Sequence, residues 1–552
     1  MAAKVIQSLF DIKNLPADAQ KILQDFDQIA QSAMPANSKQ LVIIPKIIRE
    51  LSHQMTDDRG SRRLGYMNEK TFLSAYVRYF MWWNLVRFAR LFANLDFDFL
   101  IDGDVCLDIG SGPLTLPCAL WLARPDLRQK KLVWYVMDIS QGALSVGEEI
   151  FLALAAKTGG EPWKIVRVKG ELGTAVKEKA RFVTCANMFN ELLQSRGGEP
   201  PDFLAKKYSQ ALFKYLDFEN GGANEGRAGN AGGAANEGRA KSVRGGPANE
   251  GRAGNARGAA NEGRAQNAGG AANEGRTENA RGAANGGGGP ANEGRAKSDR
   301  GGPALLLVEP GVPKSARFVS LMRDAFIRRG LVALAPCPHQ QSCPMDGRRA
   351  GQNGANGKWC NFAFETDDAP KKLLALSASA GIPKERAVLS FVLAGAARES
   401  FASPKSGGLS GLEKVAATDA ACKPKNCGGL LRVASDIIRL PPDGEGQKPR
   451  VGHYACSEQG LVLALSKGGK RVYSGDLLEV ENDFTPKNGA ETIGKPQAAA
   501  RFGREKSLAS PKSGRRSLSQ ERDLGLCGKS SSRERDSRPR RDAKTGALIV
   551  EI

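Results

Sequence analysis

The chain has 552 residues, a formal net charge of +21 and a pI near 9.6. That length accommodates two or three domains, and the charge favours a polyanionic partner, RNA first. No apolar run reaches the ~18 residues of a membrane span, so no membrane partner is expected.

More than half of the charge excess sits in two low-complexity segments, 221–302 and 501–545. The rest of the chain is basic to an ordinary degree. The first twenty residues, MAAKVIQSLFDIKNLPADAQ, have no long apolar core, include Asp11 and Asp18 and lack Arg. They do not read as a leader, and a cytoplasmic protein of bacterial style is expected, a monomer. Ten cysteines in such a compartment argue for thiols and metal ligands over disulfides.

Residues 1–100 read as an N-terminal helical region, with helices over about 17–33, 38–54 (kinked or split at Pro45) and 69–95. Tyr76, Arg78, Tyr79, Trp82, Trp83 and Asn84 form an unusually aromatic and basic group. They fit a helix packed on the next domain, a lid over a ligand, or a surface on which RNA bases stack.

Residues 101–220 form the first part of a β–α alternation, which implies a parallel sheet with helices on both faces. It opens with Val105–Pro117, VCLDIGSGPLTLP. An apolar strand runs to Asp108, a tight turn follows through Gly110, Ser111 and Gly112, and a helix continues over about 114–123. Glycines there let the backbone approach a ligand closely, and open α/β sheets bind ligands at the carboxyl ends of such strands. Thr115 stands where a dinucleotide fingerprint wants its third glycine. The second strand, 132–137, is followed by Asp138, whose carboxylate can accept two hydrogen bonds from a vicinal diol. A helix over 141–156 and strands at 164–168 and 182–186 come next. Asn187, Met188, Phe189, Asn190 and Glu191 end the fourth strand, and Asn187 and Asn190 suit either a base edge or the cap of the following helix.

Residues 221–302 repeat ANEGR from Ala223, Ala235, Ala248, Ala260, Ala272 and Ala291. A solenoid needs an apolar face to stack, and this stretch offers only Ala and Val243. It reads as a disordered insertion, because nothing offsets the roughly 1–2 kcal/mol per residue of backbone ordering. The core resumes over 303–400 with a strand at 304–308, the sequence VEPG, a helix over 315–329 and a strand at 387–393. A polar insertion (401–428), a C-terminal strand region (429–497), a basic disordered insertion (498–545) and a final strand (546–552) complete the chain. ASPKSG occurs in both of the later insertions.

Cys337, Cys343 and Cys360 fall in one loop region, APCPHQQSCP to KWCNF, and Cys456 lies much later. Four soft thiolates suit zinc or an iron–sulfur cluster. The spacing is not that of a zinc knuckle, Cys-Pro is common beside iron–sulfur clusters, and buried free thiols are the plain alternative. His339 is a possible substitute ligand. Cys422, Cys427 and Cys527 lie in insertions and are not expected to bind metal; Cys106, Cys118 and Cys185 read as core.

The D-x-G-x-G-P loop is similar to that of S-adenosylmethionine (SAM) methyltransferases. Taken with YxRYF and Trp83-Asn84, LDIGSGPLTLP, NMFNEL, VEPG and APCPH–CP–WCNF, it makes the chain resemble the ribosomal small-subunit methyltransferase-like family, over about 60–400 without the insertion and around Cys456. The resemblance implies a Rossmann-like SAM methyltransferase core of α/β class, with a cysteine-rich metal-binding loop and C-terminal strands. It implies a SAM-dependent methyltransferase acting on RNA in small ribosomal subunit biogenesis, with small-subunit RNA and proteins as partners. Asp108, Gly110, Ser111, Gly112, Asp138 and Asn187 would then hold the cofactor, with Asn187 and Asn190 on the acceptor side. Cys337, Cys343, Cys360 and Cys456 would hold a structural 4Fe-4S cluster, with zinc the alternative. The N/D-P-P-Y/F turn of many amine methylases is absent, so a SAM-binding assembly factor without turnover is the other reading.

Overall fold

The structure, a computed structural model, describes residues 3–56, 66–195, 199–218, 302–350, 355–396, 429–442, 449–466, 471–480, 541–542, 545 and 547–552. The ANEGR repeat, the polar stretch 401–428 and the basic stretch through residue 540 lie outside the described residues, as do Cys422, Cys427 and Cys527. The chain divides into two units, 223–298 and the remainder, and everything below concerns the remainder.

The strands in chain order are β1 (Ala3–Gln7), β2 (Val105–Ile109), β3 (Val133–Asp138), β4 (Lys164–Lys169), β5 (Phe182–Ala186), β6 (Ala304–Pro310), β7 (Leu331–Ala335) and β8 (Phe362–Glu365). They continue with β9 (Arg386–Ala396), β10 (Gly429–Val433), β11 (Ile438–Leu440), β12 (Arg450–Ser457), β13 (Gly460–Leu465), β14 (Leu477–Val480) and β15 (Leu548–Glu551). Two sheets result. The first has the order β4-β3-β2-β5-β6-β9-β7, with β8 paired to β9; the second runs β1-β14-β10-β12-β13-β15, with β11 on β12.

In the first sheet β2 pairs in parallel with both β3 and β5, β3 with β4, and β5 with β6. The chain therefore winds outward in both directions from the β2–β5 boundary. That boundary is the topological switch point, where the carboxyl ends of strands leave a crevice. β2 and β5 are buried on both faces and read as nearly continuous apolar runs. β4 is an outer strand and carries exposed Lys164, Arg167 and Lys169, which discourage further pairing.

The expectation of a parallel sheet holds for five strands only. β9 inserts between β6 and β7 and is antiparallel to both, and β8 adds antiparallel to its other end. β7 and β8 flank the cysteine loop and are too short to stand out from it in the sequence. The N-terminal region is also not wholly helical. β1 pairs with β14, so the first residues complete the C-terminal sheet.

The helices run Ala17–Gln24, Phe26–Ala33 and Ser38–Thr56, the first two broken at Asp25 and the third continuous through Pro45. Lys70–Ala75, a π-helical turn at Tyr76–Met81 and Trp82–Phe92 then form one rod. Tyr79, Trp82 and Trp83 are buried in that rod. The Trp82 indole donates to the Leu23 carbonyl at 2.8 Å and the Trp83 indole to Ser377 Oγ at 3.1 Å. Arg78 is buried too and donates to the Met34 carbonyl at 2.7 Å. These side chains staple the rod to its neighbours, so they are not a surface for stacking bases.

Candidate cofactor site and cysteine cluster

A cavity of about 70 Å³ lies at the switch point. Its floor is the glycine loop. Gly110 and Ser111 donate from their backbone N–H groups to the Met137 carbonyl at 2.8 and 3.0 Å, which pins the loop to the end of β3. Gly110 and Gly112 have φ of +71° and +53°, and Leu114, at +56°, makes the same left-handed bend to start the helix Thr115–Ala123. A Cβ on Gly110 would come within 3.0 Å of Met188, so this glycine makes room for the wall opposite.

Asp108, Gly110, Ser111, Gly112, Asp138 and Asn187, the six expected cofactor residues, all line this one cavity. Asp108 is buried and accepts from Thr184 Oγ1 at 2.7 Å. Burial pushes its carboxyl up to about 7; the Thr184 bond opposes the shift and the nearby Asp138 charge adds to it. Asp138 accepts from the Gly112 N–H at 2.9 Å and the Ser140 N–H at 2.8 Å. Burial raises its pKa against those two bonds. Part of its acceptor capacity is therefore spent on shaping the glycine loop and on holding Ser140, whose Oγ caps the helix Gln141–Thr158 by accepting from the Ala143 N–H, and each Asp138 oxygen keeps a lone pair for a diol.

The other wall is the turn after β5. Asn187 has φ +59° and donates its N–H to the Val308 carbonyl at 2.8 Å. Glu309, at the end of β6, accepts from the N–H groups of Phe189 and Asn190, both at 2.9 Å. Burial pushes the Glu309 carboxyl up to about 8, against those two bonds. Asn190, expected on the acceptor side, does not line the cavity; its Oδ1 accepts from Ser315 Oγ at 3.2 Å. Glu191 lines the cavity in its place. Glu191 stands four residues after Asn187, about one helical turn of 3.6 residues, and so returns to the cavity side.

The roof comes from Tyr76, Asn84 and Phe88 of the N-terminal rod and from Tyr66 and Met67 in the 3-10 turn Tyr66–Asn68 just before it. Positions eight apart in an α-helix are about 80° out of register at 100° per residue. The π turn takes up one extra residue and brings Tyr76 to the face of Asn84 and Phe88. Tyr76 of this segment thus lines the cavity, while its neighbours Tyr79, Trp82 and Trp83 pack inward.

Thr115 Oγ1 is buried in the cavity wall and has no hydrogen-bond partner among the described residues. Such an orphan beside three carboxyl groups and a helix N-terminus fits a polar, partly cationic ligand. The space itself is small, since nucleoside-sized ligands need roughly 300 Å³ or more. Met67 and Met188, long and unbranched, line it beside the glycine loop, where side chains of this kind can change rotamer to enlarge it.

The four flagged cysteines come from three places in the fold. Cys337 follows β7, Cys343 and Cys360 lie between β7 and β8, and Cys456 is in β12 opposite Arg432 of β10. They lie near enough to influence one another. Burial pushes Cys343 up to about 11, and Cys337 adds to it. Cys360 and Cys456 are raised well above the ordinary thiol value by burial and then by the neighbouring cysteines. Two buried arginines attend them. Arg323 donates from Nε to Cys337 Sγ at 3.1 Å and from Nη2 to the His339 carbonyl at 2.8 Å. Arg432 donates to the Pro336 and Gly475 carbonyls at 2.8 and 2.6 Å. His339 is buried beside Arg323, and burial, then that charge, pulls its ring down to about 4. Among the described residues, no group of three or more His, Cys, Asp or Glu side chains is arranged to hold a metal ion. The cysteines converge, but the expected metal-binding geometry is not formed.

Residues 295–406 match the family model described as "Rsm22: Mitochondrial small ribosomal subunit Rsm22". Over that stretch the chain is similar to the Rsm22 family. The stretch carries β6 to β9, with Glu309 and three of the four cysteines, and leaves out the glycine loop. No curated protein matches the chain. Among solved structures it is similar to a SAM-dependent methyltransferase from Geobacter sulfurreducens in complex with S-adenosylhomocysteine. The identity is 9%, the TM-score 0.23, and the match covers 62% of this chain and 97% of that one. Magnesium protoporphyrin IX methyltransferase from Synechocystis PCC 6803 shows 9% identity and a TM-score of 0.26, over 64% and 100%. A putative methyltransferase with its Trm112 activator from Haloferax volcanii shows 11% and 0.22, over 63% and 98%.

Proposed function

We propose that the chain is a SAM-dependent methyltransferase that acts on RNA of the small ribosomal subunit during its biogenesis. The observation that carries the reading is the convergence of the glycine loop, Asp138 and the Asn187 turn on one cavity at the switch point of a Rossmann-like sheet. The Rsm22-type segment supports the ribosomal small subunit as the partner. SAM supplies an already activated methyl group, so the protein's task is mainly to position donor and acceptor. Asp138 has lone pairs for the ribose hydroxyls. Asp108 and Glu191 put carboxyl groups near the cationic end. Asn187, fixed by the Val308 carbonyl, has its side-chain amide available for a base edge.

The cysteine cluster is read as the holder of a structural 4Fe-4S cluster, with zinc the alternative. Four thiols with two buried guanidinium groups suit an anionic tetrathiolate centre. Ligation would tie the Cys337–Cys360 loop to β12 of the second sheet through Cys456, and folding of that junction would depend on the metal.

A second reading, a SAM-binding assembly factor without turnover, draws on the small cavity and on Asn190 facing away from it. Tritium transfer from labelled SAM to immature small subunits separates the two. Label in RNA that is lost with Asp108→Ala supports the enzyme. Intact binding of SAM and particle with no label supports the assembly factor.

A further inference from the structure

The roof of the cavity carries a polar side chain, Asn84. Asn84 is 6% exposed and lines the cavity. Its Oδ1 accepts from Arg87 Nη2, and its amide nitrogen has no hydrogen-bond partner among the described residues. Arg87 cannot accept, so the oxygen must be the atom that faces it. The N–H₂ group of Asn84 is therefore left as a donor toward the cavity.

The charge behind Asn84 is positive. Arg87 donates from Nη1 to the Val388 carbonyl at 2.9 Å, its Nε is buried without a partner, and no carboxylate among the described residues pairs with it. Lys384 lies near enough to repel it, over the rings of Trp83 and Tyr79 at 5.2 and 5.9 Å. Asp108, Asp138 and Glu191 line the same cavity. The lining thus combines carboxyl groups with an amide donor backed by the Arg87 guanidinium; burial, then the Arg87 charge, pulls Lys384 down to about 7.

We propose that Asn84, oriented by Arg87, binds the α-carboxylate of the cofactor's amino-acid end and so fixes which way the cofactor lies. The assignment rests on reading the cavity as a SAM site. The amino-acid end of SAM is a zwitterion next to a sulfonium. With its carboxylate on Asn84, its ammonium and sulfonium face Asp108 and Glu191; reversed, carboxylate would meet carboxylate. A hydrogen bond to a charged acceptor in a buried site typically changes affinity about 10- to 100-fold. Arg87 acts through Asn84 and is a positioning residue.

The test is calorimetric titration of the purified full chain with SAM and with decarboxylated SAM, which keeps the ammonium and the sulfonium. Wild type should bind SAM about 10- to 100-fold more tightly than the decarboxylated compound. Asn84→Ala should lose that preference and bind the two nearly equally. Asn84→Asp should bind SAM more weakly than Asn84→Ala does, because it sets charge against like charge. Equal affinity of wild type for the two ligands, or a loss in Asn84→Ala that is the same for both, overturns the assignment while leaving the cavity reading intact. The wild-type comparison needs no variant to fold. A wild-type protein that binds neither compound overturns the cavity reading, and this assignment with it.

Discussion

Glu309 accepts the backbone N–H of Phe189 across the end of the first sheet, at 2.9 Å, and its second oxygen accepts that of Asn190. One buried carboxyl group therefore caps the helix Met188–Ser195 and holds the turn that presents Asn187 to the cavity. Glu309→Gln keeps one acceptor and turns a donor toward the other N–H. It should lower stability by about 1–3 kcal/mol and weaken S-adenosylhomocysteine binding, as read by urea denaturation and titration. Unchanged values in both would show that the turn holds itself.

Gly147 lies in the helix Gln141–Thr158 where it crosses the glycine loop. A Cβ there would come within 2.4 Å of the Pro113 carbonyl carbon and 2.6 Å of Leu114 Cδ1. In an open helix Gly→Ala stabilises by about 1 kcal/mol. Here overpacking should outweigh that gain, for a net loss of about 1–2 kcal/mol and a lower melting temperature. A higher melting temperature for Gly147→Ala would mean that the loop can move away without cost.

Asp108 gives a pH test. Its carboxyl is raised to about 7 in the fold, chiefly by burial, from an ordinary value of 3.8. The folded state thus holds this proton more tightly than the unfolded chain. Its contribution is complete below about pH 4 and is lost as pH rises through 7. Asp108→Asn mimics the neutral form at every pH. Without cofactor, the melting temperature of wild type should fall more steeply than that of Asp108→Asn between pH 5 and 8, and parallel curves would contradict the shift.

The strands β2, β5, β6 and β13, the glycine loop and Asp138 were legible because each is a contiguous apolar run or a short fixed pattern. Other features were not. β9 is a strand by composition, but its antiparallel place between β6 and β7 depends on a partner far away in sequence. β1 pairs with β14, more than four hundred residues on, and a five-residue strand carries no periodicity that names its partner. Tyr79, Trp82 and Trp83 were ambiguous because an aromatic helix face looks the same whether it meets protein or a nucleic acid. The π turn that brings Tyr76 beside Asn84 leaves no mark in a 3.6-residue pattern. Glu309 lies in VEPG, but its role appears only when β5 and β6 are adjacent.

The cysteine reading has a direct chemical test. Protein purified without oxygen should be brown, with about four iron and four sulfide per chain. Cys456→Ser should lose the metal, while Cys422→Ser and Cys527→Ser should keep it. One zinc per chain without sulfide would contradict the iron–sulfur assignment and favour zinc. Metal-free protein with all four thiols titratable after unfolding would leave the cysteines as a buried thiol cluster.

Hydrogen exchange with and without S-adenosylhomocysteine tests the central claim, that the switch-point cavity is the cofactor site, most directly. The expected result is slowed exchange in three separate segments, around 109–116, 138–143 and 187–191, with a further effect in the rod near Tyr76 and Asn84. Unchanged exchange in all of them at saturating ligand, or protection confined to residues away from the ends of β2, β3 and β5, would contradict it.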